Sequence, residues 1–287
     1  MHLLMIMGAL GLAASCRVLG YRWLETRTEL SWTQRWQMTL LVFLWPPLLL
    51  LMTAIAILWM GPQGEMVWVW EGWWSYTLAA GFVGMAGLLN LKLGYEGWQS
   101  VQKIHTYPQF LLQGQWAYHL DDALPYAAQV GFWHSELMIT KGLIHTLSSE
   151  QLAAVLVHEQ AHQHYRDTFW FFWWGWLRRL TVWLPYSTEL WQELLLLREL
   201  RADQWAAQQV DPLLLAESLL LMVNPNPYPP NFTENLCAAL HSASRHRLTE
   251  RIDALLSPDD TITTFSTWTW SGLLIAGLPL MTIPFHY

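Results

Sequence analysis

Charge is scarce in this chain. Only 13% of its 287 residues are Asp, Glu, Lys or Arg, about half the share of an ordinary soluble domain. There are 2 cysteines, Cys16 and Cys237, too few for a disulfide framework or a cysteine metal motif. Both read as small apolar residues. No internal repeat, glycine-rich phosphate loop or nucleic-acid motif appears, so direct nucleic-acid binding is not expected. What fills the space is apolar: 53% of residues are hydrophobic and 21 are Trp. Trp concentrates at membrane–water interfaces. The composition is that of a membrane protein.

Four apolar segments stand out, at about 2–19, 38–60, 74–91 and 267–287. The first resembles a signal peptide, and Ala-Ala-Ser-Cys16 faintly resembles a lipoprotein box. Its start has no Lys or Arg, which a signal peptide requires, so it is read as a retained helix. The second, Met38 to Met60, is uncharged and long enough to cross a bilayer, with a kink expected at Pro46-Pro47. In the third, Ala80, Gly81, Gly84 and Gly87 place small residues along one side, as closely packed membrane helices do. Trp268 and Trp270 open the fourth at an interface. Arg17, Arg22, Arg27 and Arg35 mark the first loop as cytoplasmic, and the second loop, about 61–73, has no Lys or Arg. This orientation puts both termini outside and residues 92–266, with the remaining 11 Lys and Arg, in the cytoplasm.

Within 92–266, residues 99–121 give no clear pattern. Gln129 to Thr140 reads as strand with a turn at His134-Ser135, broken at Lys141-Gly142. A strand in that place can hold an extended substrate by strand addition. Ser148 and Gln151 form a capping box, and Leu152, Val155 and Leu156 give the following helix an apolar stripe. That helix carries His158-Glu159-x-x-His162. Residues four apart share a helix face, so both imidazoles can reach one Zn²⁺ while Glu159 holds and deprotonates a water. The bland alternative is the polar face of an ordinary helix. Residues 168–186, rich in Trp and Phe, contain Arg178 and Arg179, which are costly inside a bilayer. They read as an interfacial or re-entrant helix, the alternative being a buried amphipathic one.

Ser187 or Thr188 can cap a further helix in which Glu199 and Asp203 lie four apart. Two His and one Glu with an open position form a known hydrolytic set. Glu199 is therefore the expected third ligand, and Asp203 the acceptor that orients a ligand His. The alternative is charge pairing on a solvated face, with Arg198 and Arg201 as partners. Asn224 to Pro230 reads as a linker, Asn231-Phe232-Thr233 as an idle sequon, and residues 247–256 as a closing helix. His241, Arg245 and His246 are candidates for stabilising an oxyanion. His105, His134, His145 and His164 receive no role.

With these residues placed, the chain resembles the BlaR/MecR-type membrane zinc metallopeptidases, antirepressor proteases of bacterial antibiotic signalling. The resemblance rests on Lys141-Gly142-Leu143 after a strand, on Leu147 to Asp167 (LSSEQLAAVLVHEQAHQHYRD), on Glu199 to Asp203 (ELRAD) and on Arg251 to Leu256 (RI-x-x-LL). It implies a mainly α membrane protein of four transmembrane helices, with a cytoplasmic α+β gluzincin domain between the third and fourth. It implies one Zn²⁺ per chain on His158, His162 and Glu199, Glu159 as base, and a protein substrate such as a DNA-binding repressor. The penicillin-binding sensor domain that follows the fourth span in those sensors is lacking from these residues, which argues against β-lactam sensing. The chain is also similar to HtpX-type and CAAX-prenyl-protease-type gluzincins, which cut membrane or misfolded proteins. Their usual His-Pro before the final Arg-Ile is replaced here by Arg245-His246. A reading from another class is a non-catalytic membrane receptor or scaffold with a structural zinc site, against which stands the intact Glu159.

Overall fold

The computed structural model describes residues 2–27, 30–62, 69–222, 245–257 and 267–285. The chain divides into two compact units. One comprises Met1–Lys92, Trp174–Leu194 and Asp260–Tyr287, the other Leu93–Trp173 and Leu195–Asp259. Residues 174–194 thus group with the apolar segments, apart from the remainder of 92–266.

The first unit holds α1 (His2–Glu25), α2 (Trp32–Met60) and most of α3 (Val69–Ile104). These three helices are long and apolar enough to cross a membrane. Each outruns its expected span, because a helix continues past the apolar stretch wherever no breaker stops it. Ser31 starts α2 through a capping box with Gln34. The segment at 267–285 differs from the expected fourth span. It is a short helix, α10 (Thr267–Leu274), that passes into a 3₁₀ helix over Ile275–Phe285 containing Pro279 and Pro284. Proline supplies no N–H to a helix ladder. The side chains of Trp268 and Trp270 lie outside the described residues, as do the linker at 224–230, the sequon at 231–233 and Cys237.

Small residues do bring helices together, on α1 and, at Ala79 against Ala54 and Ile57 of α2, on α3, but not at the α3 glycines. A Cβ at Gly20 would lie 2.6 Å from Val42 Cγ2 of α2, and Ala9 and Ala13 are buried in a cluster with Leu49 and Leu50. At Gly81, Gly84 and Gly87 a Cβ would meet nothing within 4 Å. Ser75, Ala79 and Ala86 of α3 are buried instead, on another side of the helix. Where α2 passes Pro46 and Pro47, the carbonyl of Phe43 loses the N–H that residue 47 would normally donate. Arg17 of α1, fully buried, supplies the replacement: its Nη2 donates to Phe43 O at 3.0 Å. Its guanidinium also lies 5.1 Å from the Phe43 ring centre.

The second unit is built on a four-stranded sheet of order β1-β2-β4-β3. Its strands are β1 (Gln109–Leu112), β2 (Gln115–Leu120), β3 (Ala127–Val130) and β4 (Glu136–Thr140). Strands β1 and β2 form a hairpin whose two loop residues, Gln113 and Gly114, both have positive φ, as a tight hairpin requires. Strand β4 runs parallel to β2 and antiparallel to β3. Both its edges are paired, and both its faces are covered by packed side chains. Leu137 and Ile139 pack with Leu152, Val155 and Leu156, and Met138 packs with Ile104, Tyr118 and Val130. Burying each of those aliphatic side chains contributes about 1.5–3 kcal/mol. The strand ends at Thr140, and Lys141-Gly142 breaks it, as expected. Thr140 caps α4 (Lys141–Thr146) by accepting from Leu143 N–H, and it donates to Leu124 O at 2.6 Å.

Helix α5 (Ser149–His164) follows with its expected box: Ser148 Oγ accepts from Gln151 N–H at 3.2 Å, and Gln151 Oε1 accepts from Ser148 N–H at 3.0 Å. Helix α6 (Asp167–Leu180) buries Phe171, Trp174, Leu177 and Leu180 at three-residue intervals and leaves Trp170 41% exposed. That is an amphipathic helix. It ends at residue 180, short of the expected 186, and turns occupy 181–186. Ser187 does not cap α7 (Ser187–Ala207). It is the first helical residue, and its hydroxyl donates back to Thr181 O and Leu184 O. Helices α8 (Pro212–Met222) and α9 (Arg245–Leu256) complete the unit.

Candidate metal centre

Helix α5 places His158, Glu159 and His162 in its buried second half. Each offers a donor atom, and those atoms all lie within 4.8 Å of one another. The two Nε2 atoms are 3.2 Å apart. Helix α7 brings Glu199 to the same point: its Oε2 is 3.5 Å from His158 Nε2, and its Oε1 is 3.7 Å from His162 Nε2. Ligands at zinc distances on a tetrahedral ion stand about 3.4 Å from each other. Each Nε2 thus lies close to that spacing from the other and from one oxygen of Glu199. Glu199 is the most open donor, its side chain 15% exposed against 8% and 5% for the two histidines.

The surroundings are charged and buried. Asp203, one turn beyond Glu199, has Oδ1 2.9 Å from His158 Nδ1. Their alignment is that of a charge contact more than of a hydrogen bond. Asp203 also takes a two-pronged contact from Arg251 of α9, Nε to Oδ2 at 2.6 Å and Nη2 to Oδ1 at 2.7 Å. Arg251 Nη1 lies 3.4 Å from Glu199 Oε2, and Arg198 Nη2 donates to Glu199 Oε1 at 2.6 Å. On the other side Asp167, the first residue of α6, has Oδ2 2.7 Å from His162 Nδ1, and its Oδ1 accepts from Arg201. The solvated face imagined for Arg198 and Arg201 is thus a buried one.

Burial alone would raise the carboxyls of Glu199, Asp203 and Asp167. Arg198, His162 and Arg251 outweigh it at Glu199 and hold that carboxyl well below the usual range. Arg251 does the same at Asp203, and Arg201 at Asp167, each held lower than usual. Burial pushes His158 down, but the Asp203 charge overrides it and lifts the imidazole to about 9. Four carboxylates, with Glu159, face three guanidiniums.

Of the residues expected to act, His158, Glu159, His162, Glu199 and Asp203 come together. His241 lies outside the described residues. Arg245 and His246 form the first turn of α9, with side chains that also lie outside them. Asp167 and Arg251 carried no expected role. Asp167 stands five positions after His162 at the end of the same motif, and Arg251 opens Arg-Ile-x-x-Leu-Leu. Both sat in quoted stretches, but nothing local says which way they turn. His105 pairs with Glu136 at 2.7 Å on the surface, and His164 stacks on Trp205.

No curated protein and no solved structure is matched. Residues 110–184 match the model of peptidase family M48, about a quarter of the chain, running from β1 past α6 and including His158, Glu159 and His162. Over that stretch the chain is similar to peptidase family M48, and the match supports a metallopeptidase.

Proposed function

We propose that this chain is a membrane-embedded, zinc-dependent endopeptidase, with His158, His162 and Glu199 holding one Zn²⁺ and Glu159 acting as general base. The observation that carries the reading is the convergence of donors: the two Nε2 atoms 3.2 Å apart, with Glu199 Oε2 3.5 Å from the first and Glu199 Oε1 3.7 Å from the second, and Glu159 beside them. Bound there, zinc would supply Lewis-acid polarisation of the scissile carbonyl and make water acidic enough to act near neutral pH. Glu159 would act as the base that takes a proton from the attacking water and as the acid that returns it to the leaving amine. Asp203 holds His158, and Arg251 holds Asp203. Strand β4 is interior, so an extended substrate would have to add at an edge of the sheet, β1 or β3. His241, Arg245 and His246 remain the candidates for the oxyanion.

The placement of arginine supports a cytoplasmic site, with 267–285 as a fourth crossing. The antirepressor-like motifs support regulatory proteolysis of a repressor-like protein as the first reading of the substrate. Because the match names a peptidase family and no regulator, a second reading stands beside it: quality control of membrane or misfolded proteins, as in HtpX-type enzymes.

The test is metal analysis and proteolysis on the purified chain in detergent, wild type beside Glu159→Gln. About one zinc per chain is expected in both. Cleavage of an unfolded protein should fall by a factor on the order of 10²–10⁴ in the variant. Zinc in both with cleavage in neither would favour the structural-zinc receptor. A wild-type chain that binds no zinc would sink the reading.

A further inference from the structure

Asp167 belongs to no ligand set, yet it is buried against the outer nitrogen of His162. The chain is bent to put it there. Helix α5 ends at His164, Arg166 adopts φ 52°, and α6 begins at once with Asp167. A left-handed residue that is not glycine is uncommon and is kept where its surroundings hold it. Here the reversal turns the Asp167 carboxylate back over α5. Arg201 meets that carboxylate from α7 and lies 4.1 Å from the Tyr165 ring centre.

Donor and acceptor chemistry fixes the direction of this chain of contacts. Guanidinium only donates and carboxylate only accepts. Arg201 occupies Oδ1, so Oδ2 is left for His162, whose Nδ1 must carry the ring proton. Nε2 is then a bare lone pair, facing His158 Nε2 at 3.2 Å. We propose that Asp167 is a positioning residue that locks His162 as its Nδ1–H tautomer for metal binding, and that Arg201 dictates which oxygen does so. This rests on the metal reading above. The rival account is a salt bridge that ties α6 to α7 and leaves the imidazole indifferent.

The two accounts part at Asp167→Asn, which keeps shape and removes one oxygen. Arg201 claims the oxygen that remains, so the amide NH₂ faces Nδ1. Nδ1 must then accept, and the ring proton moves to Nε2, against the metal. The probe is Zn²⁺ itself, titrated into the full chain in detergent against a competing chelator. Circular dichroism of the zinc-free protein reports folding. Asp167→Asn should lose about 10–100-fold in zinc affinity. Adding Arg201→Met frees the amide to turn its oxygen to Nδ1–H, so the double variant should recover most of that loss. Arg201→Met alone leaves two carboxylate oxygens and should lose less than Asp167→Asn. Zinc affinity in a folded Asp167→Asn within about 2-fold of wild type, well short of the loss expected for such an orienting group, would overturn the proposal. So would a double variant no better than the single one. If Asp167→Asn does not fold, the ring ¹⁵N shifts of His162 in the zinc-free wild type decide: a protonated Nδ1 with a bare Nε2 supports the proposal, and a protonated Nε2 overturns it. A wild type that binds no zinc takes the metal reading down first and this proposal with it.

Discussion

Both units bury arginine, and they hold it differently. Arg17 of the helical unit meets a backbone carbonyl and the face of Phe43. Its Nε and Nη1 have no acceptor among the described residues. Arg198, Arg201 and Arg251 of the other unit each meet a carboxylate: Glu199, Asp167 and Asp203. Each of those carboxylates in turn lies against His158 or His162. A lone cation that repairs a helix ladder is structure. Three cations matched to acids that converge on two imidazoles amount to a tuned electrostatic site. The difference separates an arginine that meets a backbone carbonyl from arginines that set the charge around two buried imidazoles.

The strongest way to break that contrast is Arg251→Met. It leaves Asp203 and part of Glu199 as buried charge without its partner, which costs about 3–5 kcal/mol. The expected result is a large drop in the denaturant midpoint of the zinc-free protein, with weaker zinc binding besides. Arg251→Lys keeps the charge but not the two-pronged geometry and should fall between. If Arg251→Met were as mild as Arg17→Met, the acid-paired arginines would be no more than packing.

A smaller change is expected across pH. His158 is lifted from 6.5 to about 9, burial opposing and Asp203 prevailing. A group whose folded pKa is raised stabilises fully below its unfolded value and loses that contribution as pH rises through the folded one. Metal-free protein should therefore melt lower as pH climbs from 6.5 to 9. Zinc needs the neutral imidazole, so its affinity should rise over the same range. Melting curves with and without zinc should diverge with pH. A metal-free protein that melts alike at pH 6.5 and 9 would show that the Asp203 charge does not govern His158.

Much of the site was legible because it is local. A capping box, an apolar stripe and two His four apart are written within one helix, and the structure keeps them in register. The turn at His134-Ser135, between β3 and β4, is of the same kind. Glu199 and Asp203 were legible only as a pair at helical spacing. That they face His158, and not water, depends on how α7 packs against α5. Asp167 was hidden by a single left-handed residue, and Arg251 by contacts formed across 48 positions. In the helical unit the glycines of α3 suggested a contact face, but α3 packs through Ala79 on another side, and the close glycine contact is at Gly20 of α1. A small residue permits close approach, but its neighbours decide whether approach occurs. The same holds for 267–285, where apolar composition suggested one more long helix and two prolines accompany a 3₁₀ path.

The smallest expected effect tests the other half of the contrast. If Arg17 serves only the carbonyl that Pro47 leaves without a donor, its value should depend on Pro47. Pro47→Ala returns an N–H to residue 47, and that group can bond Phe43 O within the helix. Arg17→Met in the native background removes a charge-assisted hydrogen bond, worth about 1.5–3 kcal/mol. In the Pro47→Ala background the same change should cost about 1–2 kcal/mol less, because the carbonyl has another donor and a buried guanidinium is itself a burden. The measurement is a double-mutant cycle on the zinc-free chain in detergent, read from denaturant midpoints. Additive effects would mean that Arg17 acts through the Phe43 ring or through a partner other than the backbone. A coupling of the expected sign would tie a charge inside an apolar helix to a proline thirty residues away. Zinc affinity, governed by the acid-paired arginines, should stay unchanged in all three variants.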